Sequence, residues 1–297
     1  MNGILNILKP PGMTSHDVVA AVRKKLGIRR VGHTGTLDPD AAGVLPICIG
    51  KATRVSQYPQ ESNKGYRVEM ILGITTNTQD ISGDIIQWGK LMSKRSDIED
   101  ALLSFIGEYK QIPPMYSAIK VKGKRLYELA RKGIEVERKA RKVKIESINI
   151  IDIRNEIVFF DVICSKGTYI RTLCHDVGEL LGCGGTMSFL MRTFTGGFHI
   201  SNAITLEEFY SIDNIANIKN HLKPIDYPLE HLARIDINTK HKKAALNGNI
   251  VPLEDLAYSK FLGTETRIYM ANRFIGVGTI NMDDTDNLYI KFSKHFA

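Results

Sequence analysis

Between Gly32 and Pro39 the chain reads GHTGTLDP, which places a histidine, two threonines, two glycines and an Asp-Pro step in eight residues. Glycine and proline at this density fix a tight loop rather than a regular element. Asp38 stands between apolar Leu37 and Pro39, and a carboxylate so held can face a pocket as nucleophile or base. The run Asp38-Pro39-Asp40 also reads as a helix N-cap with proline at the first helical position. Local residues alone leave both readings open. A second candidate is Arg171. Ile170, Leu173, Val177 and Leu180 recur at helical spacing ahead of Gly182, with Thr168 as the expected cap. Arg171 therefore falls in a first turn, where a cation opposes the positive end of the helix dipole. A carboxylate partner for it is expected.

Composition narrows the classes of function. The 297 residues are 43% hydrophobic and 24% charged, enough for a sizeable core and for one large domain or two. No run approaches the ~20 apolar residues of a membrane span. The start, MNGILNILKPPGMTSHD, lacks a basic region and is broken by Pro10, Pro11 and Gly12, so no signal peptide is read there and a cytoplasmic location is expected. Cys48, Cys164, Cys174 and Cys183 form no CxxC pair, and Cys174-His175 with Cys183 lacks a fourth ligand. Buried reduced thiols are expected, and no metal.

The net charge of +8 has an address. Residues 120–144 hold eleven Lys or Arg against three Glu, and the rest of the chain holds 29 bases and 29 acids. A surplus confined to one segment is the footprint of a surface that meets a polyanion. Charge runs are commonly only a solvated face. This one is threaded with Leu126, Tyr127, Leu129 and Gly133, which points to a structured element.

The elements that must position these residues follow from periodicity. GILNILKP reads as a strand, and Ser15 to Leu26 as a helix capped by Ser15 and stopped by Gly27. Tyr66, Val68, Met70 and Leu72 alternate with polar positions, which predicts a half-buried strand. Ser96 and Glu99 read as a capping box before a helix with Ile98, Leu102 and Phe105 inward, and Thr205 with Glu208 as another. Arg141–Ile153 and Ile157–Cys164 read as paired strands. Beyond about His231 short strands alternate with turns, over a stretch small enough to lean on the main body.

Six segments, Lys9-Pro10 to Ser15, Gly32–Arg54, GYR at 65–67, GITTNTQDISG at 73–83, QIPPMYSAIKVKGKRLYELARKG at 111–133 and CSKGTYIRT at 164–172, together resemble the bacterial tRNA pseudouridine-55 synthases. GHTGTLDP, PPMYSA and KGTYIR in this order are specific. The likeness runs from residue 3 to about 200 and continues more faintly through NGNIV and FIGVGTI, which resemble that family's PUA-like domain.

The resemblance implies that Asp38 is the catalytic aspartate, that Arg171 pairs with it, and that Tyr66 joins them at the catalytic centre. It implies that His33, Tyr66, Tyr169, Leu190 and Lys9 meet the target nucleotide. Lys122, Lys124, Arg125 and Lys132 would grip RNA from an insertion at 120–144. Pseudouridine formation breaks the uracil N1–C1′ bond, turns the base and joins C5 to C1′, with no redox change and no cofactor. A carboxylate could attack C1′ or C6, or take the 2′ proton, and the sequence does not choose. The target base must be extruded from its stack before Asp38 can reach it. The implied partner is the T-arm of tRNA, with no guide RNA and no membrane, and the enzyme is expected to be a monomer. The fold class expected is α/β (α+β), with a mixed, mostly antiparallel sheet flanked by helices. Residues 1–230 would form the catalytic domain and 231–297 a small β-rich PUA-like domain. Two alternatives remain: an RNA-binding module without turnover, and the guide-dependent synthases of archaea and eukaryotes.

Overall fold

The computed structural model describes residues 1–121 and 123–296. Its centre is a ten-stranded sheet. The main path runs Leu222–Lys223, Gly3–Lys9, Ala42–Ile49, Gly185–Thr195, Lys64–Leu72, Ile157–Cys164, Arg141–Arg154 and Gly107–Gln111. Val31–His33 and Phe198–His199 pair beside it. Neighbours are antiparallel except where Ala42–Ile49 meets Gly185–Thr195, with Met191 opposite Ala42 and Arg192 opposite Gly43. The expected fold class, a mixed and mostly antiparallel sheet with flanking helices and a β-rich C-terminal unit, is the one found.

Burial explains the strand sequences. Ala42–Ile49 (AGVLPICI) is covered on both faces and is apolar almost throughout. Lys64–Leu72 is covered on one face, so Tyr66, Val68, Met70 and Leu72 are inward while Arg67 faces out to Asp161. Helix Ile170–Leu180 packs on that inward face with Leu173 and Val177. It lies unusually close to the sheet. A Cβ on Gly178 would fall 2.0 Å from the Gly185 nitrogen, and one on Gly185 would fall 2.4 Å from the Cys174 carbonyl oxygen. Backbone rests on backbone there.

Three caps differ from expectation. Thr14, not Ser15, caps helix Ser15–Leu26, because Asp17 returns the bond to the Thr14 amide in a capping box; Ser15 is turned inward to Leu37 instead. Helix Arg95–Leu103 begins on Lys94 with Asp97 as the returning carboxylate, which leaves Glu99 to pair with Arg95. Thr168 does not cap its helix: its hydroxyl donates to Ser165, and Tyr169 holds the cap position. The Thr205–Glu208 box forms as read.

A separate five-stranded sheet follows, ordered Ala233–Asp236, Glu265–Met270, Arg273–Met282, Leu288–His295 and Val251–Leu253, around its own core of Ile235, Ile268, Ile280 and Ile290. Val277 and Phe296 leave that core to pack with Ile4, Val44 and Cys48 of the main body. Lys51 Nζ donates to the Phe296 carbonyl at 2.9 Å, and the Tyr58 hydroxyl reaches the Glu265 carboxylate at 3.0 Å. No helix among the described residues is long and apolar enough to cross a membrane.

Candidate active site

Asp38 lies in the loop between Val31–His33 and Ala42–Ile49. The Asp38 carbonyl accepts from Ala41 at 3.1 Å, closing a turn that leads straight into a strand, so the helix-cap reading of Asp38-Pro39-Asp40 is wrong: no helix follows. Both neighbours of Asp38 are pinned. The Leu37 amide donates to Ser15 Oγ at 2.9 Å, and the Pro39 carbonyl accepts from Gly12 N at 3.0 Å and Lys9 Nζ at 2.8 Å. The loop is thus anchored on either side, and the Asp38 side chain, 45% exposed, is left to face a cleft of about 1070 Å³.

Arg171 answers from the far wall. Its side chain is only 7% exposed, and Nη2 lies 3.1 Å from Asp38 Oδ2. The same guanidinium donates to the carbonyls of Tyr116 at 2.9 Å and Thr78 at 3.2 Å, and Nη1 stands 3.5 Å from Asp80 Oδ2. The cation expected to oppose the helix dipole has two carboxylate partners rather than one, and it meets Asp38 through a single nitrogen. Asp80 bears no mark in the sequence, because TNTQDISG reads locally as a polar turn. Its other oxygen is indeed bound within that turn, by Thr78 Oγ1 at 2.7 Å and the Ser82 amide at 3.1 Å.

His33, Tyr169 and Leu190 line the cleft beside Asp38, with Met187 and Phe189. His33 Nδ1 accepts from the Gly35 amide at 3.2 Å, and its ring meets His16 edge-on at 6.1 Å. Burial, then the neighbouring His16 and Arg192, hold its pKa below the usual 6.5, which keeps the imidazole neutral at pH 7. Gln111 clamps Tyr169 by accepting from its amide at 2.8 Å and donating to its carbonyl at 3.0 Å.

Two expected residues stand elsewhere. Lys9 is 0% exposed and does not reach the cleft, since its ammonium is spent on the carbonyls of Pro10, Met13 and Pro39. Burial lowers its pKa to about 8, with Asp40 and Asp38 opposing the shift. Its place is under the Asp38 loop. Tyr66 is 8% exposed and is not among the residues lining the cleft; it stands opposite Arg192 across the sheet, near enough to Asp38 to feel its charge. Burial pushes its phenol up to about 12 against the pull of Arg192.

The basic segment is divided by the fold. Lys120–Val121 and Lys124–Arg125 form a short hairpin, Leu126–Ala130 is a helix, and Arg141–Lys144 belongs to the main sheet. Arg125, Tyr127 and Arg131 line the cleft, with Tyr127 flanked by the two guanidinium groups at 5.8 and 5.6 Å. Lys124 and Lys132 are exposed without lining it, and Lys122 lies outside the described residues. No cluster of three His, Cys, Asp or Glu suited to a metal occurs among the described residues.

A carboxylate aimed into a cleft, backed by a guanidinium and ringed by aromatic and apolar side chains, suits attack on, or proton removal from, a planar base and its sugar. At about 1070 Å³ the cleft stands at the top of the ~300–1,000 Å³ range of small-ligand pockets, and it is edged by cations, which suits a polyanionic substrate.

Comparison with known proteins gives the lineage. Residues 23–170 match the TruB family pseudouridylate synthase (N terminal domain), and residues 171–230 match the tRNA pseudouridylate synthase B C-terminal domain. The chain is 55% identical to a protein of Alkaliphilus oremlandii called tRNA pseudouridine synthase B, over 99% of this chain and 98% of that one. It is 44% identical to the protein of the same name in Clostridioides difficile, over the full length of both. Among solved structures, a Cbf5-Nop10-Gar1 complex contains a chain that aligns with a TM-score of 0.76 at 29% identity, over 99% of this chain and 85% of that one. The cleft with Asp38 opposite Arg171 lies within these matched spans, and the chain belongs to the TruB family of pseudouridylate synthases.

Proposed function

We propose that this protein converts uridine to pseudouridine at position 55, in the T-loop of tRNA, as a stand-alone enzyme. The observation that carries the proposal is the Asp38–Arg171 approach of 3.1 Å at the wall of a cation-edged cleft. Relatives of 44–55% identity are called tRNA pseudouridine synthase B, which supports tRNA as the substrate. Asp38 is the catalytic carboxylate, acting at C1′, at C6 or on the 2′ proton. Arg171 holds it. The target nucleotide flips out of its stack and enters between Tyr169, Leu190 and His33, where neutral imidazole gives shape and hydrogen bonding without charge.

Once C5 is joined to C1′, the C5 hydrogen must leave. We assign it to Tyr66 as phenolate: the C5–H electron pair returns to the uracil ring and the proton passes to the phenolate oxygen. Lys124, Arg125 and Lys132, with Arg131, hold RNA phosphates, and Lys122 is assigned with them from its place in sequence. Residues 1–230 act as the catalytic domain and 231–297 as a PUA-like RNA-binding domain, in a cytoplasmic monomer.

A guide-dependent reading has one observation behind it. A second structural relative, at 26% identity and a TM-score of 0.74, comes from an H/ACA RNP bound to a substrate RNA containing 2'-deoxyuridine. The higher identity to the tRNA synthases over full length favours action without a guide. Incubating the purified protein with unmodified tRNA and mapping pseudouridine decides the matter. A single new pseudouridine at position 55 without added guide is expected. Modification elsewhere, or only with a guide RNA, overturns the proposal.

A further inference from the structure

We propose that Arg192 is a positioning residue for the reaction, a buried cation that acts on the substrate through the Tyr66 phenol. This rests on the assignment of Tyr66 to the C5 proton made above.

Arg192 is opposite Tyr66 in the antiparallel pairing of Gly185–Thr195 with Lys64–Leu72, so the two side chains share a face of the sheet. On its other side it stands opposite Gly43, where any Cβ would lie 2.3 Å from the Arg192 carbonyl oxygen. Its side chain is 1% exposed, and no carboxylate among the described residues pairs with it. Nε donates to the Val44 carbonyl at 2.8 Å and Nη2 to the Gly35 carbonyl at 3.3 Å. A buried guanidinium held on neutral carbonyls is expensive, and an apolar residue would fill the space at lower cost. Its charge reaches a consistent set of groups. It depresses His33, Lys9 and Lys64 and favours ionised Tyr66.

The cross-strand opposition of the two residues sets what the cation can do. A guanidinium has donors and no acceptor, so it can serve only the phenol oxygen, and it leaves the phenol hydrogen to another acceptor. When that hydrogen passes to solvent, the phenolate remains beside a fixed cation. It can then take the C5 proton. The grip on Gly35 ties the same cation to the loop that presents Asp38, so one side chain sets the place of both reacting groups.

The test compares Arg192→Lys, Tyr66→Phe and the double variant with the parent on whole tRNA. Melting temperature and tRNA affinity are checked for each. Arg192→Lys should lower kcat more than tenfold while KM stays within twofold, and the isotope effect on kcat with 5-deuterated uridine should rise. In the Tyr66→Phe background the same change should cost less than threefold. An unchanged isotope effect, or an equal loss in both backgrounds, overturns the role of Arg192 and leaves that of Tyr66 standing. Parent-like turnover by Tyr66→Phe alone removes both. Should Arg192→Lys not fold, 13Cζ-tyrosine NMR of the parent decides. Tyr66 must titrate below Tyr109, whose partly buried phenol has no cation beside it among the described residues, and a Tyr66 phenol that titrates no lower overturns the proposal.

Discussion

Replacing Arg171 with lysine keeps the charge and removes the geometry. Four partners now surround the guanidinium: Asp38 and the Tyr116 carbonyl on Nη2, and Asp80 and the Thr78 carbonyl on Nη1. An ammonium places its donors on one atom and cannot span both pairs. Giving up two hydrogen bonds at about 1–1.5 kcal/mol each amounts to about 2–3 kcal/mol. If Asp38 depends on them in the transition state, about 1.4 kcal/mol per factor of ten converts this into a fall of about 30- to 150-fold in kcat/KM. Tritium release from tRNA labelled at uridine C5 measures the rate, since the new C5–C1′ bond must expel that hydrogen. Filter binding measures affinity for tRNA, which should change less than threefold. A variant that melts with the parent and turns over within threefold of it would refute the idea that Arg171 sets the attitude of Asp38.

Asp38→Asn should abolish tritium release while tRNA affinity stays near the parent value, and near-normal release would remove Asp38 from the chemistry. Neutralising Arg125 and Arg131 to Gln should flatten the log-affinity versus log-salt slope by roughly 0.7–0.9 for each phosphate that the variant no longer neutralises; the same change at Lys124 and Lys132, which do not line the cleft, should flatten it less, and equal slopes would sever the link between cleft edge and RNA. Lys9→Met strands the Pro10 and Met13 carbonyls at about 1–3 kcal/mol each, while Pro39 keeps its bond from Gly12, so a large fall in stability toward denaturant is expected. The folded chain releases the Lys9 proton near pH 8 and the unfolded chain near 10.5, so unfolded molecules bind more protons in between, and the stability of the parent relative to Lys9→Met should climb with pH across that window. A difference that stays flat from pH 8 to 10.5 would show that burial does not perturb Lys9.

Much of this was legible where the information is local. The alternation at Tyr66, Val68, Met70 and Leu72 and the helical stripe at Ile170, Leu173 and Val177 report directly which side is buried. The cap at Thr14 lies one residue from Ser15 because both hydroxyls are eligible and the hydrogen bond picks one, whereas at Lys94 the Asp97 carboxylate bonds the Lys94 amide and the Lys94 side chain caps nothing. Asp38-Pro39-Asp40 deceived for a related reason, since turns and helix starts favour the same residues. Asp80 and Arg192 carry no local mark. Asp80 meets Arg171 across 91 positions of chain, and Arg192 reaches Val44 across 148. Lys9 shows the converse: the motif flags it, but only the three carbonyls around its ammonium show that it props the loop from beneath.

The close approach of Gly178 to Gly185 bears on how the site responds to heat. Side chains wedged between a helix and a sheet can shift rotamer and let the two drift apart by fractions of an ångström as temperature rises. Backbone against backbone has no such intermediate setting, because there are no rotamers to exchange. Arg171, in the first turn of that helix, therefore keeps its distance from Asp38 until the helix leaves the sheet as a unit. The logarithm of the rate against reciprocal temperature should stay straight up to the onset of unfolding and then collapse, and Gly178→Ala, which prises the two backbones apart, should bend that line well before the protein melts.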